Sequence, residues 1–363
     1  MNILSVETKH PPHYYDQDAL LDAFKKLWQK EHHNMRRVEQ LHKAVMVGGR
    51  HLALPMDEYD NLETFTDSNN HFIKVGTDVA AQALQDALQK NHLHSQDLDA
   101  IFFVTVTGLA TPSIDALLVN RLGLREDIKR IPIFGLGCVA GAAGLGRVHD
   151  YLKAYPDHVV ALISVELCSL TLQRQDLSIA NLIASGLFGD GCACVLVAGE
   201  DRVTKIQAEW KKQGIHKKIG PKILGSRSRF YPDTEGVMGW DIGHEGFKII
   251  LQANVPQLAR EHIGPDLQKF LSPHQLTRDD ITSWICHTGG PKVITAFQQS
   301  LNLQSEDIQL TLDSLREVGN LSSASVLYVL KDTLEKRTQE KDSYGVLMAM
   351  GPGFCNEMVL LQF

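Results

Sequence analysis

The sequence predicts an α/β fold of five layers, α/β/α/β/α, built from two duplicated halves. Two observations favour this fold class. Short apolar runs alternate with helical patterns along the chain, which is typical of parallel βαβ units whose sheet is covered by helices. The same order of elements also occurs twice, once in each half of the chain.

The repeat is clearest around two segments of small residues. The segment that begins at Cys138 aligns with the one that begins at Asn320, so that Ala142 meets Ala324. Further matches are Leu145 with Leu327, Asp150 with Asp332, Leu152 with Leu334 and, upstream, Asp97 with Asp280. If a pseudo-twofold axis relates the halves, Cys138 and Asn320 occupy equivalent positions and approach each other near that axis.

Each half is predicted to contain the same elements in the same order. An acidic turn precedes a short apolar strand, at 100–105 in the first half and at 282–286 in the second. A glycine-containing loop, a helix, a small-residue elbow and a second helix follow. The first half continues with a strand at 158–165. Cys192 and Cys194 are expected inside a strand, because no second cysteine pair lies nearby to complete a tetrahedral metal site.

Length and composition are those of an ordinary globular protein. The 363 residues, 44% of them hydrophobic and 22% charged, suffice for a large core divided between two subdomains, 1–200 and 201–363. Six cysteines in a chain this long favour a reducing compartment. We expect a cytoplasmic protein without a membrane span, because no apolar run approaches about 20 residues and the N-terminus lacks a signal-peptide pattern. The net charge of −7 argues against nucleic acid as a partner.

Cys138 is the first candidate catalytic residue. It lies at a strand-to-helix elbow, in Gly-Leu-Gly-Cys-Val-Ala-Gly at 135–141. A helix N-terminus stabilises a thiolate, so we expect a pKa below the usual value of about 8.5 and a nucleophilic role. Two alternatives remain at this point. The same glycines fit a dinucleotide-binding turn, although the carboxylate that should follow about 20 residues later arrives late, at Glu166. A free cysteine in a tight elbow is also often simply buried.

His287 is the histidine that we expect to be functional. It ends the strand at 282–286, beside Gly289 and Gly290, and α/β folds place their sites at such strand ends. Other histidines lie in polar stretches and are expected at the surface: His32, His33, His42, His51, His92 and His94.

Four motifs in this order resemble the type III polyketide synthases, the chalcone-synthase-like branch of the thiolase fold. They are Gly-Cys-Val-Ala-Gly at 137–141, Trp-Ile-Cys-His-Thr-Gly-Gly-Pro at 284–291, Gly-Asn-Leu-Ser-Ser-Ala at 319–324 and Gly-Pro-Gly-Phe at 351–354. Leu-Phe-Gly-Asp-Gly at 187–191 is a fifth match. The resemblance covers nearly the whole chain, and its strength lies in the ordered set rather than in any one motif.

The resemblance implies an acyltransferase that condenses an acyl-CoA starter with malonyl-CoA and releases an alkylpyrone, a resorcinol or a related cyclised polyketide. Cys138 would carry the acyl chain as a thioester, and His287 would be its ion-pair partner. His287 and Asn320 would donate hydrogen bonds to the thioester carbonyl and to the enolate formed by decarboxylation of malonyl-CoA. Loss of carbon dioxide generates the nucleophile, so neither a carboxylate base, a cofactor nor a metal is implied.

The same resemblance implies a substrate cavity. Phe188 matches the aromatic gatekeeper between the coenzyme A tunnel and the cavity, whereas Ile249 and Trp240 depart from the plant pattern and place an aromatic starter in doubt. The other matching positions are Val106, Thr107, Thr111, Cys168, Thr171, Ser322, Gly351, Pro352, Gly353 and Phe354.

Lys43, Arg50 and Lys292 fall where relatives meet the coenzyme A phosphates. Family members are homodimers in which the loop at Thr111 and Pro112 reaches across the interface. Three other functions stay open on the sequence alone: a β-ketoacyl carrier-protein synthase III-like enzyme, a noncatalytic acyl-binding protein, and a dinucleotide-dependent oxidoreductase. Dependence on a carrier protein would favour the first of these. Failure of iodoacetamide to label Cys138 would favour the acyl-binding protein, and a change in nicotinamide fluorescence would favour the oxidoreductase.

Overall fold

Strands and helices alternate along the chain, as the sequence predicts. The computed structural model describes residues 1–29 and 34–363, so His32 and His33 lie outside the described residues. The strands are β1 (Asn2–Lys9), β2 (His13–Asp16), β3 (Gly49–Leu52), β4 (Ala100–Thr105), β5 (Lys129–Phe134), β6 (Val159–Leu167), β7 (Asp190–Ala198), β8 (Lys222–Phe230), β9 (Met238–Gly243), β10 (Gly246–Leu251), β11 (Ile281–Cys286), β12 (Tyr344–Gly351) and β13 (Cys355–Gln362). The α-helices are α1 (Gln17–Trp28), α2 (Met35–Ala44), α3 (Phe65–Lys90), α4 (Ile114–Leu122), α5 (Ala140–Ala154), α6 (Ile179–Leu187), α7 (Glu200–Lys212), α8 (Val255–Leu271), α9 (Pro291–Leu301), α10 (Gln309–Val318) and α11 (Ser325–Lys336).

The main sheet contains strands from both halves of the chain. Within residues 1–29 and 34–363, nine strands lie in the order β11-β12-β13-β8-β1-β7-β6-β4-β5. The two halves of the chain meet at β1 and β8, where Asn2 pairs with Lys222. Two small sheets, β2 with β3 and β9 with β10, lie apart from this main sheet.

Strand order confirms the duplication. Numbered one to five along the chain, the strands β1, β4, β5, β6 and β7 lie in the spatial order 3-2-4-5-1. The strands of the second half lie in the order 2-4-5-1, and the parallel and antiparallel pairings are the same in both halves. Where the first half has its third strand, β5, the second half has helix α10 in the corresponding part of the sequence.

Three of the clusters of buried apolar side chains lie between the layers of the fold. Alternate side chains of β4 point to opposite faces of the sheet, so Ile101 and Phe103 pack under α3 and α4 while Phe102 and Val104 pack against α5. Helices α5 and α11 share the central cluster, and α8 and α9 cover the outer face of the second half. The two halves of the main sheet thus form two β layers with α5 and α11 between them, which is the expected α/β/α/β/α arrangement.

The two central helices approach each other at a glycine. A Cβ atom added to Gly141 on α5 would lie 2.2 Å from the carbonyl oxygen of Ser323, just before α11. No larger residue fits at this position without moving the backbone of the other half. Because Cys138 and Asn320 lie immediately before these helices, the same contact brings the two elbows together.

The strand boundaries largely agree with the predictions. The strand at 100–105 is confirmed as β4, and the strand at 282–286 begins one residue earlier, at Ile281. The strand predicted at 158–165 is β6, which continues to Leu167 because Glu166 and Leu167 still pair with β7 and are fully buried. Cys192 and Cys194 lie inside β7, as expected.

Helix α3 is the longest element, with 26 residues. A capping box between Thr64 and Asp67 begins it, so its first backbone N–H groups are satisfied by side chains. Across the described ranges, neither α3 nor any other helix combines the length and apolar character that a bilayer crossing requires.

Candidate active site

Cys138 lies in a tight elbow between β5 and α5. The short 3-10 turn Gly137–Val139 carries it, and Gly137 adopts the left-handed region with φ of +58°. A Cβ at Gly137 would lie 2.6 Å from the ring of Pro352, and one at Gly351 would lie 2.9 Å from the backbone nitrogen of Val139. The motif at the end of β12 therefore packs directly against the backbone that presents the thiol.

Asn320 lies in the equivalent elbow of the second half. Its Oδ1 accepts hydrogen bonds from the backbone N–H of Ser322 at 2.8 Å and from the hydroxyl of Ser325 at 3.2 Å. Since the oxygen is held by these two donors, the amide nitrogen is the end of the side chain left to donate to a ligand. The hydroxyl of Ser322 lies 3.6 Å from the Cys138 sulfur, which joins the two elbows.

Strand β12 connects His287 with the Cys138 elbow. His287 follows β11 directly, and its backbone N–H donates to the carbonyl of Met348 on β12 at 3.0 Å. Three residues farther along β12, Gly351 contacts the Cys138 elbow. The His287 side chain is 2% exposed, and its Nδ1 has no hydrogen-bond partner among residues 1–29 and 34–363. In the same residues, no hydrogen bond joins the imidazole to the thiol.

Burial dominates the ionisation of this pair. It raises the pKa of the Cys138 thiol to about 12, against the smaller lowering effect of the Ser322 hydroxyl, and it lowers the pKa of His287 to about 4. Burial thus places the thiol pKa above its ordinary value, whereas the sequence predicts a depressed one. With these pKa values both groups are neutral at pH 7, so Cys138 would act as a nucleophile only if another group accepted the thiol proton.

Several predicted cavity residues do line one cavity. Its volume is about 800 Å³, within the range of about 300–1,000 Å³ that is typical of small-molecule sites. The predicted residues in its wall are Cys168, Thr171, Phe188, Trp240 and Ile249. The wall does not include Val106, Thr107, Thr111, Ser322, Gly351, Pro352, Gly353 or Phe354.

Several residues outside the wall lie closer to the elbows or in the core, whereas Thr111 is exposed in the loop before α4. Ser322 contacts the Cys138 sulfur, and Thr107 donates its hydroxyl to Glu166. Phe354 is fully buried beside Tyr231. Phe188, in contrast, connects the cavity with an elbow, because its backbone bridges to that of Asn320.

The three predicted coenzyme contacts lie in different environments. Lys43 is exposed and forms an ion pair with Glu39 at 2.6 Å. Lys292 is exposed near the start of α9. Arg50 is only 2% exposed and lies in the wall of the cavity, far less accessible than a surface phosphate contact would be.

Sequence reasoning missed a buried polar group next to the cavity. His42 was expected at the surface, and this is wrong: it is 1% exposed, and its Nε2 lies 3.1 Å from the Ser185 hydroxyl. Phe24 packs against its ring. The available signal was the four-residue spacing from Val38, which places both side chains on the buried face of α2.

Glu166 links the Asn320 elbow to the first half of the fold. Its carboxylate accepts hydrogen bonds from the Val106 N–H at 3.1 Å, from the Thr107 hydroxyl at 2.8 Å and from the Ser323 hydroxyl. Burial raises its pKa to about 7, although these donors favour the charged form. Ser323 lies between Asn320 and α11, so this carboxylate fixes the Asn320 elbow in place.

The raised pKa predicts a pH-dependent stability. The unfolded chain releases the Glu166 proton near pH 4.5 and the folded chain near pH 7, so the free energy of unfolding falls as the pH rises through this window. Glu166→Gln cannot ionise, and we expect it to become more stable relative to the parent protein by up to about 3 kcal/mol between about pH 5 and pH 7.5. Chemical denaturation of both proteins across this range measures the difference.

Comparing the two proteins at each pH removes the contribution of Asp190, another buried carboxyl, whose pKa burial raises to about 6 in both. A stability difference that stays constant with pH would contradict the assignment to Glu166.

Comparison with known proteins agrees with this geometry. Residues 1–201 match the family model of the N-terminal domain of chalcone and stilbene synthases, and residues 222–363 match that of the C-terminal domain. The chain is 45% identical to 1,3,6,8-tetrahydroxynaphthalene synthase of Streptomyces peucetius subsp. caesius, over 100% of this chain and 93% of that protein. It is 36% identical to a putative chalcone synthase of Bacillus subtilis (strain 168), over 99% of this chain and 98% of the relative.

Solved structures give the same result. The crystal structure of 1,3,6,8-tetrahydroxynaphthalene synthase from Streptomyces coelicolor A3(2), a bacterial type III polyketide synthase, superposes with a TM-score of 0.90 at 28% identity, covering 100% of this chain and 99% of that one. The C-terminal type III polyketide synthase domain of Steely1 from Dictyostelium superposes with a TM-score of 0.88 at 26% identity, covering 99% and 98%. The chain therefore belongs to the chalcone and stilbene synthase family and is a type III polyketide synthase.

Proposed function

We propose that this synthase uses malonyl-CoA both as starter and as extender and releases 1,3,6,8-tetrahydroxynaphthalene. The observation that carries the proposal is the 45% identity, over the whole of this chain, to a protein that bears this activity in its name. A naphthalene skeleton has ten carbons, which corresponds to five malonyl units that each contribute two carbons after loss of carbon dioxide. An acyl-CoA starter that leads to an alkylpyrone or a resorcinol, as the sequence resemblance implies, becomes the competing outcome.

The roles of the three central residues follow from their positions. Cys138 attacks the starter thioester while His287 accepts the thiol proton, and coenzyme A leaves. Asn320 and His287 then donate to the developing enolate oxygen as malonyl-CoA loses carbon dioxide, and the enolate carbon attacks the acyl group on Cys138. The extended chain returns to Cys138, and the cycle repeats until the chain cyclises and leaves.

Incubation with malonyl-CoA alone, and with added starters from acetyl-CoA to palmitoyl-CoA, tests the proposal. We expect tetrahydroxynaphthalene from malonyl-CoA alone, identified by mass and by comparison with the authentic compound. Products that carry the alkyl chain of an added starter, with none formed from malonyl-CoA alone, would overturn it. Strict dependence on an acyl carrier protein would favour a β-ketoacyl carrier-protein synthase III-like reaction instead.

A homodimer is part of the proposal. Strand β5 lies at the edge of the main sheet, and edge strands carry unpaired backbone groups that favour pairing with another chain. Phe134 at its end is 44% exposed, and Leu109 in the loop before α4 is 39% exposed. Sedimentation equilibrium is expected to give twice the chain mass, whereas a monomer at micromolar concentration would contradict this part.

A further inference from the structure

Arg50 is a buried cation whose hydrogen-bonding capacity is only partly used. The side chain is 2% exposed, and one guanidinium nitrogen, Nη2, donates to the backbone carbonyl of Ser185. The other, Nη1, is buried without a partner among the residues that the structure describes. A buried guanidinium with an unused donor is costly unless an anion or another acceptor completes its shell.

The protein carboxylate that interacts electrostatically with Arg50 is already engaged. Asp190 interacts electrostatically with Arg50, but its oxygens accept hydrogen bonds from the N–H of Ala53 at 2.6 Å, from the N–H of Ser169 at 2.8 Å and from the Ser169 hydroxyl. No ion pair within 4.0 Å joins it to Arg50 in residues 1–29 and 34–363. Burial and the charge of Arg50 also lower the pKa of His42 to about 3, so His42 is neutral and does not balance the charge of Arg50.

Arg50 belongs to the wall of the same cavity as Phe188, Trp240 and Cys168. The Cys168 thiol lies within electrostatic reach of both Arg50 and Cys138. Cys138 lies outside the wall of this cavity, and an acyl chain on Cys138 that extended past Cys168 would enter the cavity whose wall includes Arg50. A carboxylate at the far end of such a chain is the chemical group that a guanidinium binds best, through two parallel hydrogen bonds.

From this arrangement we infer that Arg50 is the subsite for a free carboxylate at the distal end of the growing chain, so that the enzyme selects a dicarboxylic starter such as malonyl over a neutral acyl group. The inference rests on the proposed function and adds the residue that selects the starter. It also means that the starter keeps its carboxylate during extension, whereas each extender unit loses its own as carbon dioxide. The chain of eleven carbons then loses the starter carboxylate as carbon dioxide when it cyclises to the ten-carbon naphthalene.

A competition between two starters of the same shape tests this. Isovaleryl-CoA has the heavy-atom outline of malonyl-CoA, with two methyl groups in place of the carboxylate oxygens. The protein receives isotopically labelled malonyl-CoA and an equal concentration of isovaleryl-CoA, and mass spectrometry gives the ratio of products built only from malonyl units to products with a branched alkyl end. We expect the parent enzyme to favour the all-malonyl product.

Arg50→Gln keeps a donor for Ser185 but removes the charge, and we expect it to lower that ratio about 10- to 100-fold while extension continues. Arg50→Lys keeps the charge and is expected to retain much of the preference. Arg202→Gln makes the same arginine-to-glutamine substitution on α7, outside the wall of the cavity, and its ratio should stay within about twofold of the parent.

An unchanged ratio in a folded Arg50→Gln protein would overturn the inference, and so would a parent enzyme that prefers isovaleryl-CoA. The second result keeps the test decisive even if both Arg50 variants fail to fold. A parent enzyme that makes no polyketide from either starter would instead count against the proposed function itself.

Discussion

Cys138→Ala is expected to abolish polyketide formation while the protein remains folded. In the proposed mechanism the Cys138 sulfur carries the acyl chain, so its removal should stop every condensation that depends on the thioester. The lost sulfur contacts the Ser322 hydroxyl at 3.6 Å and fills little volume, so we expect a stability cost of only about 1 kcal/mol. Product formation from malonyl-CoA, followed by chromatography and mass spectrometry, and circular dichroism of the variant provide the two readings.

Cys192→Ala is the matched control for this experiment. It makes the same substitution at another fully buried cysteine, inside β7 and far from any role in the proposed chemistry. We expect this variant to retain condensation. Retained product formation in Cys138→Ala would end the assignment of the nucleophile, whereas equal loss in both variants would indicate that buried cysteines matter for packing alone.

Asn320→Ala is expected to slow the decarboxylation of malonyl-CoA by about 100- to 1,000-fold, the usual cost of removing one donor to an oxyanion. Transfer of the starter to Cys138 should suffer much less, because the thiol and His287 remain. Acetyl-CoA and carbon dioxide release from malonyl-CoA measure the first step, and the intact mass of the acylated protein measures the second.

Asn320→Asp separates hydrogen bonding to the substrate from support of the elbow. An aspartate keeps an oxygen for the Ser322 N–H and the Ser325 hydroxyl, but it has no amide nitrogen to donate and it repels an enolate. We therefore expect the aspartate variant to lose decarboxylation as the alanine variant does, with its elbow intact. Normal decarboxylation in Asn320→Asp, or equal loss of both steps in Asn320→Ala, would contradict the proposed role.

The repeat and the continuous apolar strands were the features that the sequence predicted best. Strand β4 is buried on both faces and reads as an uninterrupted apolar run, so its bounds at Ala100 and Thr105 follow from the sequence alone. The acidic turns before β4 and β11 also agree, since Asp97 and Asp280 each close a capping box. The replacement of a third strand by α10 in the second half was not predictable, because none of the sequence matches falls within α10.

The sequence did not predict features that depend on the exclusion of water or on contacts between distant residues. The local pattern around Cys138 indicates a helix N-terminus, but its pKa is set by how completely both halves of the fold bury the thiol. His42 was expected at the surface and Arg50 at the coenzyme A phosphates, yet α2 and β3 place both of them beside Ser185 on α6. Only the folded chain shows that Arg50 lines a cavity and that His42 is buried against Ser185 of the same wall.

The most direct test of the central claim is the mass of the Cys138 peptide during turnover. The enzyme is mixed with malonyl-CoA, quenched within the first turnovers, digested and analysed by mass spectrometry. We expect a series of acyl chains on Cys138 whose masses increase by one two-carbon ketide unit at a time. An unmodified Cys138 during active product formation, or chains attached to another cysteine such as Cys168, would contradict it.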